Sequence, residues 1–190
     1  MIHNDKKRPF TVLVDLDGVV ADIDTAFNLA WAISYPDRPI VPFGSRKSAK
    51  IPDDYPREFR KDIYNVLAQK GFVQNMPEVP GATGALDEML SKGWEVFICS
   101  SPLRDYSFNV AEKFSWIEQH LGDGWPRRVI VAKDKTMVRG DYLIDNSPRV
   151  TGIMKPEWEH VIFDRPYNCS PEITNRRITW TSWEACLVEV

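Results

Sequence analysis

Phe10-Thr11-Val12-Leu13-Val14 runs directly into Asp15-Leu16-Asp17-Gly18-Val19-Val20. A short apolar, β-branched run that stops at a carboxylate describes a buried parallel strand with a polar tip. The pattern recurs along the chain. Trp94–Cys99 leads to Ser100-Ser101-Pro102, Val129–Ala132 to Lys133-Asp134-Lys135, and Tyr142–Ile144 to Asp145-Asn146. Val161–Phe163 then leads to Asp164, and Ile178–Trp180 is a weaker sixth strand.

Helical periodicity fills the gaps. In Gly81–Lys92, Ala82, Ala85, Leu86, Met89 and Leu90 form one apolar face, with Gly93 as the stop. In Tyr106–Leu121 the apolar positions are Val110, Phe114, Ile117 and Leu121, and Gly122 ends the helix. Strands alternating with helices predict an α/β fold with a doubly wound parallel sheet of Rossmann-like type. In such a sheet ligands bind beyond the carboxyl ends of the strands. Four predicted strands end in polar side chains, at Asp15, Ser100, Lys135 and Asp145.

Residues 25–76 break the alternation. They carry helical pieces near Thr25–Ser34 and Glu58–Gln69, joined by a charged loop with Pro36, Pro39, Pro42, Pro52 and Pro56. We read them as a small helical cap inserted after the first strand. Residues 1–24 and 77–190 then form the α/β core. The 190 residues suffice for one such domain with a modest insertion.

A net charge of −3 argues against a general nucleic-acid or membrane-surface binder. Cys99, Cys169 and Cys186 are too few and too scattered for a disulfide framework or a zinc site. Residues 1–9 are polar and charged, and no apolar run approaches a membrane span. A cytoplasmic enzyme with no membrane contact and no stable nucleic-acid partner is expected, with a homodimer left open. His120 and His160 read as structural, and most of the seven tryptophans as packing.

A strand-end carboxylate such as Asp15 can attack phosphorus and become an aspartyl phosphate. Asp17, two residues on, can protonate the leaving oxygen and then deprotonate the attacking water. Gly18 permits the tight turn that keeps the two carboxylates near one point. Phosphate charges and two carboxylates in one pocket call for a hard cation, and Mg²⁺ with oxygen ligands suits it. A lone Asp-x-Asp is usually just an acidic loop; the buried strand before it and the glycine after it give this one its weight. Ser100 and Ser101 can hold phosphate oxygens or simply form a Ser-Pro turn. Lys135 can offset charge on the nucleophile, whereas Lys133 reads as a solvated lysine. Asp145 and Asn146 can supply oxygens to the metal.

Taken together, these four segments resemble the motifs of the haloacid-dehalogenase superfamily. They are most similar to those of its 5′(3′)-deoxyribonucleotidases. That family carries Val-Phe-Ile-Cys-Thr-Ser-Pro, Asp-Lys-Thr and Leu-Ile-Asp-Asp-x-Pro. This chain has Val96–Pro102 as Val-Phe-Ile-Cys-Ser-Ser-Pro, Asp134-Lys135-Thr136, and Leu143–Pro148 as Leu-Ile-Asp-Asn-Ser-Pro. Pro80-Gly81-Ala82, Glu112-Lys113, Trp158–Val161 and Tyr167-Asn168 extend the likeness over nearly the whole chain.

The resemblance implies a phosphatase of nucleoside monophosphates, deoxyribonucleotides above all. Asp15 would be nucleophile and metal ligand, and Asp17 the acid/base with its backbone carbonyl on Mg²⁺. Ser100, Ser101 and Lys135 would bind phosphate. Asn146 would be the direct metal ligand, with Asp145 behind it or in its place. The alternatives are a phosphatase of another small ester or a polynucleotide end, and a non-catalytic binding module. Two departures stand out. Asn146 replaces the family's usual Asp. The positions aligned with the family's aromatic base pocket are Ile23, Ala49, Lys50 and Leu67, and none is aromatic.

Overall fold

The structure is a computed structural model, and it describes residues 8–103 and 106–187. Six strands form one parallel sheet: β1 (Thr11–Val14), β2 (Glu95–Ser100), β3 (Val129–Val131), β4 (Tyr142–Asp145), β5 (Glu159–Phe163) and β6 (Arg177–Ile178). Their spatial order is β3-β2-β1-β4-β5-β6. The chain winds outward from β1 in one direction and then returns to wind in the other. The crevice between the ends of β1 and β4 is therefore the topological switch point, where such sheets bind ligands.

Alternation along β1 divides the core. Val12 and Val14 face the larger cluster, and Leu13 faces a smaller one with Cys99, Leu143 and Trp158. Among the described residues, five α-helices complete the fold: α1 (Ile23–Ser34), α2 (Arg60–Leu67), α3 (Ala82–Ser91), α4 (Asn109–Leu121) and α5 (Trp183–Cys186). All five contribute to the larger cluster. On the other face, Val138 and Val150 from the connections flanking β4 pack beside Trp158. All seven tryptophans are buried.

The helix ends follow local chemistry. The carboxylate of Asp22 accepts from Thr25 N at 3.1 Å, so α1 begins two residues earlier than the periodicity suggests. Helix α1 packs on α2, with Phe27, Trp31, Tyr35, Tyr55 and Phe59 in ring contact around them. The sixth strand is Arg177–Ile178 rather than Ile178–Trp180. Trp180 leaves the ladder, and its indole N–H donates to Val19 O at 2.8 Å.

Helix α4 is turned from the face read in the sequence. Its buried residues are Asn109, Glu112, Lys113, Trp116 and Ile117. Val110, Phe114 and Leu121 are only partly buried. The inward charges are matched: Glu112 accepts from Gly71 N and Val73 N, at 2.5 and 3.1 Å. Trp116 Nε1 donates to Met76 O at 2.7 Å. These bonds tie α4 to the segment leading from α2 back to the core, and they bring Lys113 under the carboxyl end of the sheet.

Candidate active site

The strand ends converge. Asp15 follows β1, and its N–H donates to Ile144 O of β4 at 2.9 Å. Lys135, from the turn after β3, reaches between the two strand tips. Its Nζ donates to Asp15 Oδ1 at 2.7 Å and to Asp145 Oδ2 at 2.6 Å. All three side chains are buried. Burial opposes charge on Lys135, but the carboxylates of Asp15 and Asp145 outweigh it and hold the ammonium above its ordinary pKa. Burial pushes the Asp15 carboxyl up, against the pull of Lys135.

A second buried lysine serves the second carboxylate. Lys113 is 0% exposed, and its Nζ donates to Asp17 Oδ2 at 2.5 Å and to Ser100 Oγ at 2.9 Å. Burial raises the Asp17 pKa, and Lys113 opposes the rise. Asp17 Oδ1 is buried with no hydrogen-bond partner. In the sequence Lys113 stands out only as part of the family-like Glu112-Lys113 pair. Its place beside Asp17 is legible only once α4 is known to turn its charged positions inward.

The turn between the two aspartates is fixed by Gly18, which has φ +81°. A Cβ there would also lie 2.2 Å from Asn146 Nδ2. The Asn146 amide donates to Asp17 O and to Tyr167 Oη, both at 2.9 Å. Its carbonyl end is left for another partner. Of the two serines, Ser100 is buried, and its hydroxyl accepts from Lys113 while keeping its own proton to give. The Ser101 hydroxyl donates to Ala132 O at 2.9 Å, so any hold of Ser101 on an anion comes through its backbone.

These groups floor a cavity of about 530 Å³. Asp15, Asp17, Ser101, Lys135, Asp145 and Asn146 line it from the sheet, and Ala49, Lys50, Ile51, Pro52, Tyr64 and Leu67 from the inserted segment. Ile23, Ala49, Lys50 and Leu67, the positions aligned with an aromatic pocket, all lie on its wall. Arg46 adds a buried cation. It pairs with Asp24 and with Asp54 (2.5 Å), donates to Ser48 O at 2.7 Å, and lies 5.0 Å from the Tyr167 ring centroid. Neither Arg46 nor Asp24 carries a sequence signal that separates it from ordinary surface charge.

The oxygens of this floor include the carboxylates of Asp15, Asp17 and Asp145 and the amide oxygen of Asn146, beside the Asp17 carbonyl that accepts from the Asn146 amide. No cysteine or histidine among the described residues lines the cavity. Among the described residues, no three His, Cys, Asp or Glu side chains are grouped to hold a metal. An oxygen set of carboxylate, backbone carbonyl and amide fits a hard divalent cation and not zinc.

Comparison with known proteins bears on the family and the fold. The family model described as "5′ nucleotidase, deoxy (Pyrimidine), cytosolic type C protein" matches residues 8–189. A Bordetella pertussis protein provisionally named 5′(3′)-deoxyribonucleotidase is 43% identical over 93% of this chain and 94% of its own. The human cytosolic-type 5′(3′)-deoxyribonucleotidase is 36% identical over 95% of this chain and 94% of its own. Among solved structures, a haloacid dehalogenase-like family hydrolase of Xanthomonas campestris superposes with a TM-score of 0.54. It is 14% identical, over 95% of this chain and 91% of that chain, and so bears on the fold alone. With a family match along almost its whole length and the fold of haloacid dehalogenase-like hydrolases, the chain belongs to the cytosolic type C deoxy 5′-nucleotidases.

Proposed function

We infer that the protein is a magnesium-dependent phosphomonoesterase. It hydrolyses nucleoside monophosphates, deoxyribonucleotides foremost, through a phosphorylated Asp15. The observation that carries this is the pairing of two strand-end carboxylates with two separate buried lysines: Asp15 with Lys135, and Asp17 with Lys113. Burial raises both carboxyls, and each lysine opposes the rise on its own partner. Lys135 favours the anionic form of Asp15 that a nucleophile needs, and the raised Asp17 favours the protonated form that an acid needs.

In the first half, an Asp15 oxygen attacks phosphorus, the ester P–O bond breaks, and the departing alkoxide takes its proton from Asp17. In the second half, Asp17 removes a proton from water, the water oxygen attacks phosphorus, and Asp15 is released with inorganic phosphate. Lys135, the Ser100 hydroxyl and the Ser101 backbone would hold the phosphoryl oxygens. Asp15, the Asp17 carbonyl and Asn146 would hold Mg²⁺, with Asp145 behind them through Lys135 or as the alternative ligand. Bound there, the metal offsets the crowded negative charge of carboxylates and phosphate. Residues 25–76 act as the cap and form the wall that meets the leaving group. The three free thiols suit a cytoplasmic setting, and no described helix is long and apolar enough to cross a membrane.

Phosphate release is the test, measured across deoxy- and ribonucleoside monophosphates and sugar phosphates. Turnover of deoxyribonucleotides with Mg²⁺, lost on chelation and restored by Mg²⁺, is expected. Full activity after exhaustive chelation would overturn the metal requirement. Fast hydrolysis of sugar phosphates with inert nucleotides would favour another small ester, a reading that the non-aromatic Ile23, Ala49, Lys50 and Leu67 wall keeps in view.

Asn146 gives a sharper test of the ligand set. Asp cannot donate to Asp17 O or Tyr167 Oη as Asn146 does. It adds a formal charge at the same reach, so Asn146→Asp is expected to tighten Mg²⁺ about tenfold, ~1.4 kcal/mol. Asn146→Ala is expected to weaken it. Mg²⁺ titrations of activity that give the same half-saturation for both variants would move the ligand role to Asp145.

A further inference from the structure

We propose that the cavity is built for a nucleotide bearing a second phosphate, beyond the one transferred to Asp15, and that Lys50 and Arg149 recognise it. This rests on the phosphatase reading above and deepens it by naming the substrate class.

The inference comes from how charge is distributed on the cavity wall. Among the described residues, every carboxylate that lines it already has a cation. Asp15 and Asp145 share Lys135, Asp17 has Lys113, and Asp24 has Arg46. Three further cations line the same cavity: Lys50, Lys133 and Arg149. None of them lies within ion-pair distance, 4.0 Å, of any described carboxylate. They stand beyond reach of the catalytic carboxylates, so the charge they offer is not spent on the floor.

Their placement is two-sided. Lys50 belongs to the inserted segment, immediately before the turn Ile51–Asp54. Lys133 and Arg149 belong to the loops that follow β3 and β4. An anion between these loops and the inserted segment would meet positive charge from both walls. The stretch Ala49–Pro52 offers no ring for a base to stack on, and the rings that line the cavity are Tyr64 and Tyr167. Ala49 and Lys50 stand at two of the positions aligned with the family's aromatic pocket, and Ile51 and Pro52 line the cavity beside them. A base has no charge for Lys50 or Arg149 to meet, whereas a phosphate has charge and three acceptor oxygens. Arg149 can grip it with two parallel N–H bonds, and lysine acts as a point charge. A cavity of about 530 Å³ is within the range that takes a small-molecule ligand of this kind.

The test compares thymidine 5′-monophosphate with thymidine 3′,5′-bisphosphate as substrates of the Mg²⁺-loaded enzyme. It is repeated by calorimetry on the Asp15→Asn variant, which reads binding without turnover. A dinucleotide with a 5′-phosphate and an internal phosphodiester forms a third arm. At about 0.15 M salt, where screening acts over ~8 Å, kcat/KM for the bisphosphate is expected to exceed the monophosphate about tenfold. The ratio should shrink as salt rises. In Lys50→Gln/Arg149→Gln, both positions being exposed, the ratio is expected to fall to about one in turnover and in binding. A dinucleotide advantage larger than that of the bisphosphate assigns the second phosphate to a diester, and a smaller one to a terminal monoester. Equal values for all three ligands in an active wild-type enzyme overturn the inference alone. A ratio unchanged in the double variant does the same. No turnover of any ester, with the bisphosphate still bound about tenfold more tightly, would sink the phosphatase reading and leave the second-phosphate site standing.

Discussion

Asp15→Asn is expected to abolish phosphate release and leave the fold in place. The amide nitrogen cannot attack phosphorus and the amide oxygen is a poor nucleophile. The whole covalent route closes, and the rate should drop by at least about 10⁴-fold. The surroundings tolerate the change. Asn still offers Oδ1 to Lys135 Nζ, now 2.7 Å from Asp15 Oδ1, and Lys135 retains Asp145 Oδ2 at 2.6 Å. The buried lysine therefore keeps a counter-charge. Burial already disfavours the ionised Asp15, so the neutral isostere costs little stability. Phosphate release and thermal denaturation on the same sample form the measurement. Robust turnover in a variant that melts like the wild type would rule out Asp15 as the nucleophile.

Asp17→Asn is expected to reduce turnover of a nucleoside monophosphate by roughly 10²–10⁴-fold, the usual worth of acid–base catalysis. An amide can still accept from Lys113 Nζ, so the second buried lysine stays satisfied. What disappears is the proton for the departing alkoxide and, later, the base for water. The two losses separate on an activated ester such as 4-nitrophenyl phosphate, whose leaving group needs no proton. With that substrate the first half should survive and the second should stall. A phosphoryl adduct on Asp15 is then expected to accumulate and to be visible by intact-mass spectrometry. An equal loss on both esters, with no adduct, would move the acid–base role elsewhere.

Much of this site was legible in the chain because parallel strands deliver their carboxyl ends to one edge. Asp15, Ser100, Lys135 and Asp145 each follow an apolar run, and the sheet order sets Asp15 beside Asp145 with Lys135 between them. Lys113 lay outside that logic. Periodicity counts apolar side chains, and the face of α4 that is buried carries Glu112 and Lys113, which are inside only because distant groups partner them. Arg46 is the same case: its partners Asp24 and Asp54 come from helix α1 and a short turn, 22 and 8 residues away. Local sequence cannot announce a charge whose burial depends on contacts made after folding. The end of β6 fails for a related reason. Ile178-Thr179-Trp180 has strand character, yet Trp180 gains more by filling the core and capping Val19 O than by extending an edge ladder.

The bond from Trp180 to Val19 has a further consequence for how the enzyme comes into being. The loop that bears Asp15 and Asp17 is synthesised well before the segments that hold its backbone. Arg165 Nε donates to Gly18 O at 2.7 Å, Trp180 Nε1 to Val19 O, and Asn168 Nδ2 to Asn146 O at 2.8 Å. Until the ribosome has released residues 165–180, Gly18 O and Val19 O lack these donors and Asn146 lacks the Tyr167 hydroxyl. A nascent or truncated chain thus carries the reactive carboxylates without the scaffold that aims them.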